Sequence, residues 1–400
     1  MLHLSVCKPL FLFIVLSKCI GAPGKGNRLV KPEAGLEGKH GKTLFDREAV
    51  RFMKQNAATS AEKGRVTIGI DLGGTNLRIA AFDSAWKRLD SITVPTRVAD
   101  GPAEVVRDMC DSIDRLRRQW GPNYELFGVG IGAPGPLELP SGRFYRPPNL
   151  PGFDAFVLKD AVETNLRTPV IVEKDANAAA LAEWKSGVGK QMPGDSMCML
   201  TLGTGVGAGI ILGRKIWHGM IGMGGEGGHI PVVEDGFPCG CGGRGCLEQY
   251  ASATAIGRAA TLAAARGGAT AITRLMGRRI QEHGEFTARD LAGLARDGDD
   301  VSRQIFADAG KYLGMALAML VNVFNLPLYV IGGGVVSGWD LFAPRMFEEL
   351  RRLSYIYCLT EPEKDQPFTA GKTYVVPAAT GADAGLLGAA MLPYLEAGLL

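Results

Sequence analysis

The sequence carries little net charge: 44 Lys and Arg stand against 41 Asp and Glu, giving +3, and charged residues make up only 21% of the chain. That balance argues against a nucleic-acid or membrane-surface partner. Cysteine is also sparse. Of eight cysteines, Cys7, Cys19, Cys110, Cys198 and Cys358 are scattered. A secreted disulfide scaffold would be shorter and denser in cysteine, so we expect a reducing, cytoplasmic setting. Long apolar runs are missing too. The run Leu10–Leu16 has the length of a signal-peptide core but cannot span a bilayer as a helix.

Glycine is abundant, with 55 residues clustered in a few runs. Such clusters mark backbone that approaches a ligand closely or adopts positive φ. At 400 residues and 46% hydrophobic, the chain suits two domains. Residues 21–64 are rich in Gly, Lys and Pro, with one helix near Leu44–Ala57, and residues 1–64 read as a mostly disordered extension. Within it, "GLEGKHGKT" imitates a phosphate-binding loop, but five residues separate Gly35 from Gly41 where four are needed, and no strand precedes it.

From Val66 the texture changes. "VTIGID", "LRIAAFD" and "LDSITVP" read as three antiparallel strands at hairpin distances. Val105, Met109, Ile113 and Leu116 recur at helical spacing. A strand running into a Pro/Gly loop follows in "LFGVGIGAPGP", then a strand entering a helix at Asp175. "VTIGIDLGGTNLRIAAF" and "MCMLTLGTGVGAGIILG" repeat one pattern of strand, Gly-Thr turn and strand, which predicts two similar domains facing one cleft.

Several stretches carry chemistry. In "DLGGTN", the amides of Gly73 and Gly74 and the Thr75 hydroxyl form a nest for phosphate oxygens, Asn76 closes the turn, and Asp71 is placed to hold Mg2+. The competing reading is an ordinary hairpin turn. In "LGTGVGAG", Gly203-x-Gly205 matches a dinucleotide fingerprint, but a strand rather than a helix follows, so a second phosphate-binding hairpin fits better. Asp175 begins a helix; it is either an N-cap or a general base at the cleft. His229, Cys239, Cys241 and Cys246 form a Cys3His set with glycines between them, suited to one structural, four-coordinate Zn2+. Such an ion would fix Glu226, His229 and Glu248 relative to one another, a good set of acceptors for sugar hydroxyls.

In order, "GIDLGGTNLR", "GIGAPGP", "PPNLPGF", "EKDANAAALAE", "TLGTGVGAGI", "GGEGGH", "CGCGGRGCLE", "VIGGG" and "GADAGLLGAA" resemble the ROK family of repressors, open reading frames and kinases, and its glucokinases in particular. The resemblance implies an α/β, two-domain actin/hexokinase-like (ribonuclease H-like) ATPase fold with a central cleft. It implies ATP and Mg2+ at Asp71, Gly73, Gly74, Thr75 and Asn76, with Thr204, Gly205 and Gly332, Gly333 and Gly334. It implies sugar contacts by Asn149, Asp175, Glu226, His229 and Glu248, with Asp175 taking the proton of the attacking hydroxyl. We expect a small nucleotide- and sugar-binding domain over 65–174, joined by a closing helix at 383–398, and a large domain with the zinc loop over 175–382. A homodimer is expected, without nucleic-acid or membrane partners.

One position departs from the family pattern: Lys174 stands where the resemblance calls for a sugar-binding Asn. A lysine donates but cannot accept, and it brings charge beside Asp175. We expect Lys174 to point into the cleft as a donor, the alternative being a turn out to solvent. The expected activity is phosphorylation of a hexose, glucose first, with N-acetylmannosamine, another amino sugar or fructose as alternatives. Pro136 stands where the family's N-acetylmannosamine kinases tend to carry Arg. A sugar-sensing repressor would need a helix-turn-helix ahead of the core, and residues 1–64 offer one helix at most.

Overall fold

The computed structural model describes residues 64–120, 124–192, 194–267 and 270–400. The leader, its short apolar run, the false phosphate loop and the helix expected at Leu44–Ala57 lie outside the described residues.

The strands are β1 (Gly64–Leu72), β2 (Asn76–Asp83), β3 (Arg88–Pro95), β4 (Tyr124–Ala133), β5 (Leu137–Glu138), β6 (Arg143–Phe144), β7 (Val170–Lys174), β8 (Met197–Leu202), β9 (Val206–Leu212), β10 (Lys215–Ile216), β11 (Leu328–Gly332) and β12 (Tyr374–Pro377). The α-helices are α1 (Pro102–Trp120), α2 (Leu158–Leu166), α3 (Asp175–Ser186), α4 (Glu248–Ala251), α5 (Ala253–Ala265), α6 (Thr270–His283), α7 (Ala288–Arg296), α8 (Asp300–Phe324), α9 (Trp339–Leu353), α10 (Tyr355–Thr360) and α11 (Ala384–Ala397). Among the described residues no helix is long and apolar enough to cross a membrane.

The internal repeat is realised in two sheets of the same design. One runs β3-β2-β1-β4-β7 and the other β10-β9-β8-β11-β12. In each, an antiparallel pair (β1 with β2, β8 with β9) continues into two parallel strands. The buried strands read as near-continuous apolar runs because both faces are covered, as parallel sheets require. The expected helical spacing also holds: Val105, Met109, Ile113 and Leu116 are buried along α1.

Two helices run between the sheets. α3 leaves the first sheet at Lys174 and packs on β8 and β9 of the second, and α11 packs on β1, β4 and α3. The crossing of α3 and α11 is very close. A Cβ on Gly388 would lie 1.7 Å from the Ala178 carbonyl oxygen, so only glycine fits there. β1, β4 and β7 run parallel, so their carboxyl ends at Leu72, Ala133 and Lys174 share one edge of the sheet. That edge is where open α/β sheets bind ligands.

Candidate active site

Asp175 is the first residue of α3, directly after β7. Its carboxylate accepts from the Ala176 amide at 2.6 Å. Protein crowds the group, and burial pushes its carboxyl up to about 6. The Ala176 amide and Lys174 pull it down, while Asp71 and Glu226 push it further up. Its surface is nevertheless exposed. The two facts fit a group at the bottom of an open cleft, where water still screens it; the upward push reaches full strength once the cleft is filled.

The neighbouring side chain is buried. Lys174 is 4% exposed. Its Nζ donates to the Gly224 carbonyl at 2.7 Å and to Glu226 Oε1 at 2.6 Å. The alternative in which Lys174 turns to solvent is therefore excluded. Glu226 Oε2 stands 4.0 Å from His229 Nε2, too far for a direct hydrogen bond. A hydroxyl between them could donate to the carboxylate or meet the ring.

The other ring nitrogen, His229 Nδ1, lies 3.5 Å from Cys239 Sγ, and Cys241 Sγ lies 3.7 Å from Cys246 Sγ. All four donor atoms fall within 4.8 Å of one another. A tetrahedral ion with bonds of about 2.3 Å to sulfur and 2.0–2.1 Å to nitrogen spaces its ligands about 3.8 Å (S···S) and 3.5 Å (S···N) apart. The His229–Cys239 and Cys241–Cys246 distances match these spacings, so the donor set fits zinc. The loop is knotted by Cys239 N donating to Gly243 O at 2.9 Å and Gly242 N to Cys239 O at 3.0 Å.

Asp71, at the end of β1, is part-buried, and burial raises its pKa against the pull of Arg78, 3.5 Å away. Arg78 also holds Asp383 at 2.6 Å, just ahead of α11. The turn Gly73–Thr75 connects β1 and β2, and Gly74, Thr75 and Asn76 are exposed. Thr96 N donates to Thr75 O at 2.8 Å and Thr96 Oγ1 to Gly73 O at 2.7 Å, which fixes the turn. Gly74 backs onto exposed Asn149: a Cβ there would lie 2.7 Å from the Asn149 carbonyl oxygen. The first glycine turn and the loop of Asn149 thus form one surface.

The second glycine turn belongs to the other sheet. Thr204 and Gly205 join β8 to β9, and Gly332 pairs with Thr201, which brings Gly333 and Gly334 alongside. Glu248 does not bond Glu226 or His229. Its Oε2 accepts from the Val206 amide at 3.0 Å, so it braces this turn. A surface cavity of about 430 Å³ lies beside the Asn149 loop, lined by Arg143, Phe144, Tyr145, Arg146, Asp154 and Ala155, and holds none of these carboxylates.

The profile of the ROK family matches residues 67–394. The chain belongs to the ROK family. It is 40% identical over 275 residues to a glucokinase of Halalkalibacterium halodurans, covering 68% of this chain and 81% of that one. A ROK family glucokinase from Streptomyces griseus, solved in complex with glucose and AMPPNP, superposes with a TM-score of 0.69 at 33% identity, over 82% of this chain and 98% of that one. The ROK hexokinase of Thermus thermophilus gives a TM-score of 0.64 at 32% identity, over 83% and 99%. The two-lobed actin/hexokinase-like fold expected of a ROK protein is the fold of this chain.

Sequence reasoning missed three partners. Glu173, 3% exposed, meets His218 at 2.6 Å. Arg78 bridges Asp71 to Asp383. Glu183, fully buried, accepts from the amides of Val188, Ala379 and Thr380. The signal for the first was a charge inside the apolar strand "VIVEK", where burial demands a partner.

Proposed function

We propose that this ROK protein is an ATP-dependent hexose kinase of the glucokinase type, converting glucose to glucose 6-phosphate. The observation that carries the reading is Asp175. It is a carboxylate at a strand-to-helix junction, pushed up to about 6, with Lys174 and Glu226 beside it. A general base works best with a pKa near the working pH. Asp175 takes the proton of the sugar's primary hydroxyl as its oxygen attacks the γ-phosphorus of ATP. Glu226, His229, Asn149 and Glu248 orient the sugar, and the buried Lys174 ammonium holds Glu226 in place. The amides of Gly74 and Thr75 and the Thr75 hydroxyl receive phosphate oxygens, the Gly73 amide being spent on the Asn76 carbonyl, with Thr204, Gly205 and Gly332–Gly334 closing on the nucleotide from the second sheet. Mg2+ held through Asp71 would neutralise charge on the phosphates. Positioning and electrostatics account for most of the acceleration in phosphoryl transfer.

Zn2+ held by His229, Cys239, Cys241 and Cys246 has four protein ligands and no open position, so its role is structural. Residues 65–174 with the closing helix form the small domain and 175–382 the large one; the protein acts in the cytoplasm, as a homodimer. The glucose and AMPPNP bound to the Streptomyces griseus relative support the sugar and nucleotide assignments. A second reading, another hexose such as N-acetylmannosamine or fructose, is favoured by one observation: Glu226 is already engaged by Lys174. A coupled assay with ATP over a sugar panel tests both. Glucose is expected to give the highest kcat/KM; turnover of another hexose above glucose would replace the first reading by the second, and turnover of none would end the kinase reading.

A further inference from the structure

We propose that Glu173 and His218 are positioning residues that hold the 217–226 loop, and with it Glu226, against the strand end that carries Asp175. The inference rests on the kinase reading of that site. The loop has a backbone that its own sequence does not favour. Gly219, Gly222 and Gly225 take positive φ, and so does Ile221, at 55°. A β-branched residue in that region is strained and persists only where its surroundings fix it. Trp217 packs on Phe324 at the base of the loop, but its tip gains little from burial, since Met220 is 83% and Ile221 50% exposed. The tip is fixed by polar ties. Ile221 O accepts from Leu139 N at 3.2 Å, and Gly224 N donates to His218 O at 2.8 Å within the loop.

The stronger ties come from two successive residues of β7. Lys174 Nζ reaches Gly224 O and Glu226 Oε1 at the far end of the loop. Glu173 Oε2 meets His218 Nε2 at 2.6 Å at the near end. The other oxygen of Glu173 accepts from the Lys174 amide and from Asn177 Nδ2, both at 2.8 Å. Glu173 therefore joins three things: the strand end, the first turn of the helix headed by Asp175, and the loop that presents Glu226. Neither Glu173 nor His218 needs to touch the sugar. Losing the tie should let Glu226 drift from its position while leaving Asp175 in place, because the Ala176 amide bond to Asp175 is independent of it.

The test is steady-state kinetics and calorimetric glucose binding on full-length protein. His218→Phe removes the donor and keeps the bulk. Its KM and Kd for glucose should rise roughly 10- to 100-fold, the worth of a hydrogen bond to a charged group. Its kcat should stay within about threefold, and its KM for ATP should not change. His218→Gln keeps a donor and should recover glucose KM to within about threefold of wild type. Should the phenylalanine variant not fold, His218→Asn, too short to reach Glu173, should show the same split. Unchanged glucose KM in the variant that folds, or glucose and ATP KM rising together, would overturn the proposal. A wild-type protein that turns over glucose beside unaffected variants sinks this inference alone; a wild-type protein that neither binds nor phosphorylates any hexose sinks the kinase reading and the inference with it.

Discussion

Lys174 Nζ lies 2.6 Å from Glu226 Oε1, joining the residue before the candidate base to the loop that supplies a candidate sugar ligand. The ammonium is buried while Glu226 remains open to the cleft at 45% side-chain exposure. An ion pair with one open partner is screened by water, so its value lies in geometry more than in stability. One carboxylate oxygen is used by Lys174, leaving Oε2, the atom that faces His229, for a sugar hydroxyl.

Lys174→Met should therefore raise the glucose KM roughly tenfold or more, on the scale of losing a charged hydrogen bond. It should also move the acidic limb of the pH–rate profile upward, because Lys174 is one of the groups that pull the Asp175 pKa down. Steady-state kinetics from pH 5 to 9 measures both. No change in either would place Lys174 outside the sugar site.

Asp175 itself should set that limb. As a base it must be ionised, so kcat should fall as pH drops through about 6. Asp175→Asn should lose roughly 10²–10⁴ in kcat while keeping much of the sugar affinity. The stability effect has the opposite sense. A carboxyl whose folded pKa is raised favours the fold below its unfolded value and loses that advantage as pH rises through the folded one. Asp175→Asn should therefore melt higher than wild type near pH 7.5, with the gap closing toward pH 4. A wild-type kcat in this variant would remove Asp175 from the mechanism.

Much of this was legible in the sequence. The strand-turn-strand unit read twice in the chain recurs in two sheets of the same design, β3-β2-β1-β4-β7 and β10-β9-β8-β11-β12. Local pattern suffices there because each unit is short and its turns are marked by glycine. The Cys3His spacing also brought its four donors together. What stayed hidden was pairing across distance. Nothing in the chain order shows that Glu173 meets His218 forty-five positions on, or that Lys174 turns inward to Glu226. Glu248 is expected to contact sugar, and its bond to the Val206 amide, which braces the second glycine turn, could come only from the fold. The helix α2 was missed because it offers only Leu158, Val162 and Leu166 as a buried stripe.

The cysteine loop makes a separate prediction. Elemental analysis should find about one zinc per chain, and Cys241→Ser should lower that content. Stripping the metal should raise glucose KM more than ATP KM, since His229 is a donor of the cluster on one side and faces Glu226 on the other. Protein without zinc, or metal content indifferent to Cys241→Ser, would refute the assignment.

The last prediction concerns Glu183, whose buried carboxylate ties two segments that pass between the sheets. One follows α3, where Val188 N donates at 2.8 Å. The other follows β12, where the amides of Ala379 and Thr380 donate at 2.9 and 3.0 Å, joined by the Thr380 hydroxyl. Among the described residues its partners are backbone amides and one hydroxyl, with no cation. Glu183→Ala would leave three amides without their acceptor, at about 1–3 kcal/mol for each one kept from water. Urea unfolding should show a loss of several kcal/mol, reduced by whatever water enters the space. Glu183→Gln keeps the shape but turns a donor toward donors, so it should recover only part of the loss. Wild-type stability in Glu183→Ala would mean that the two segments hold their places without it.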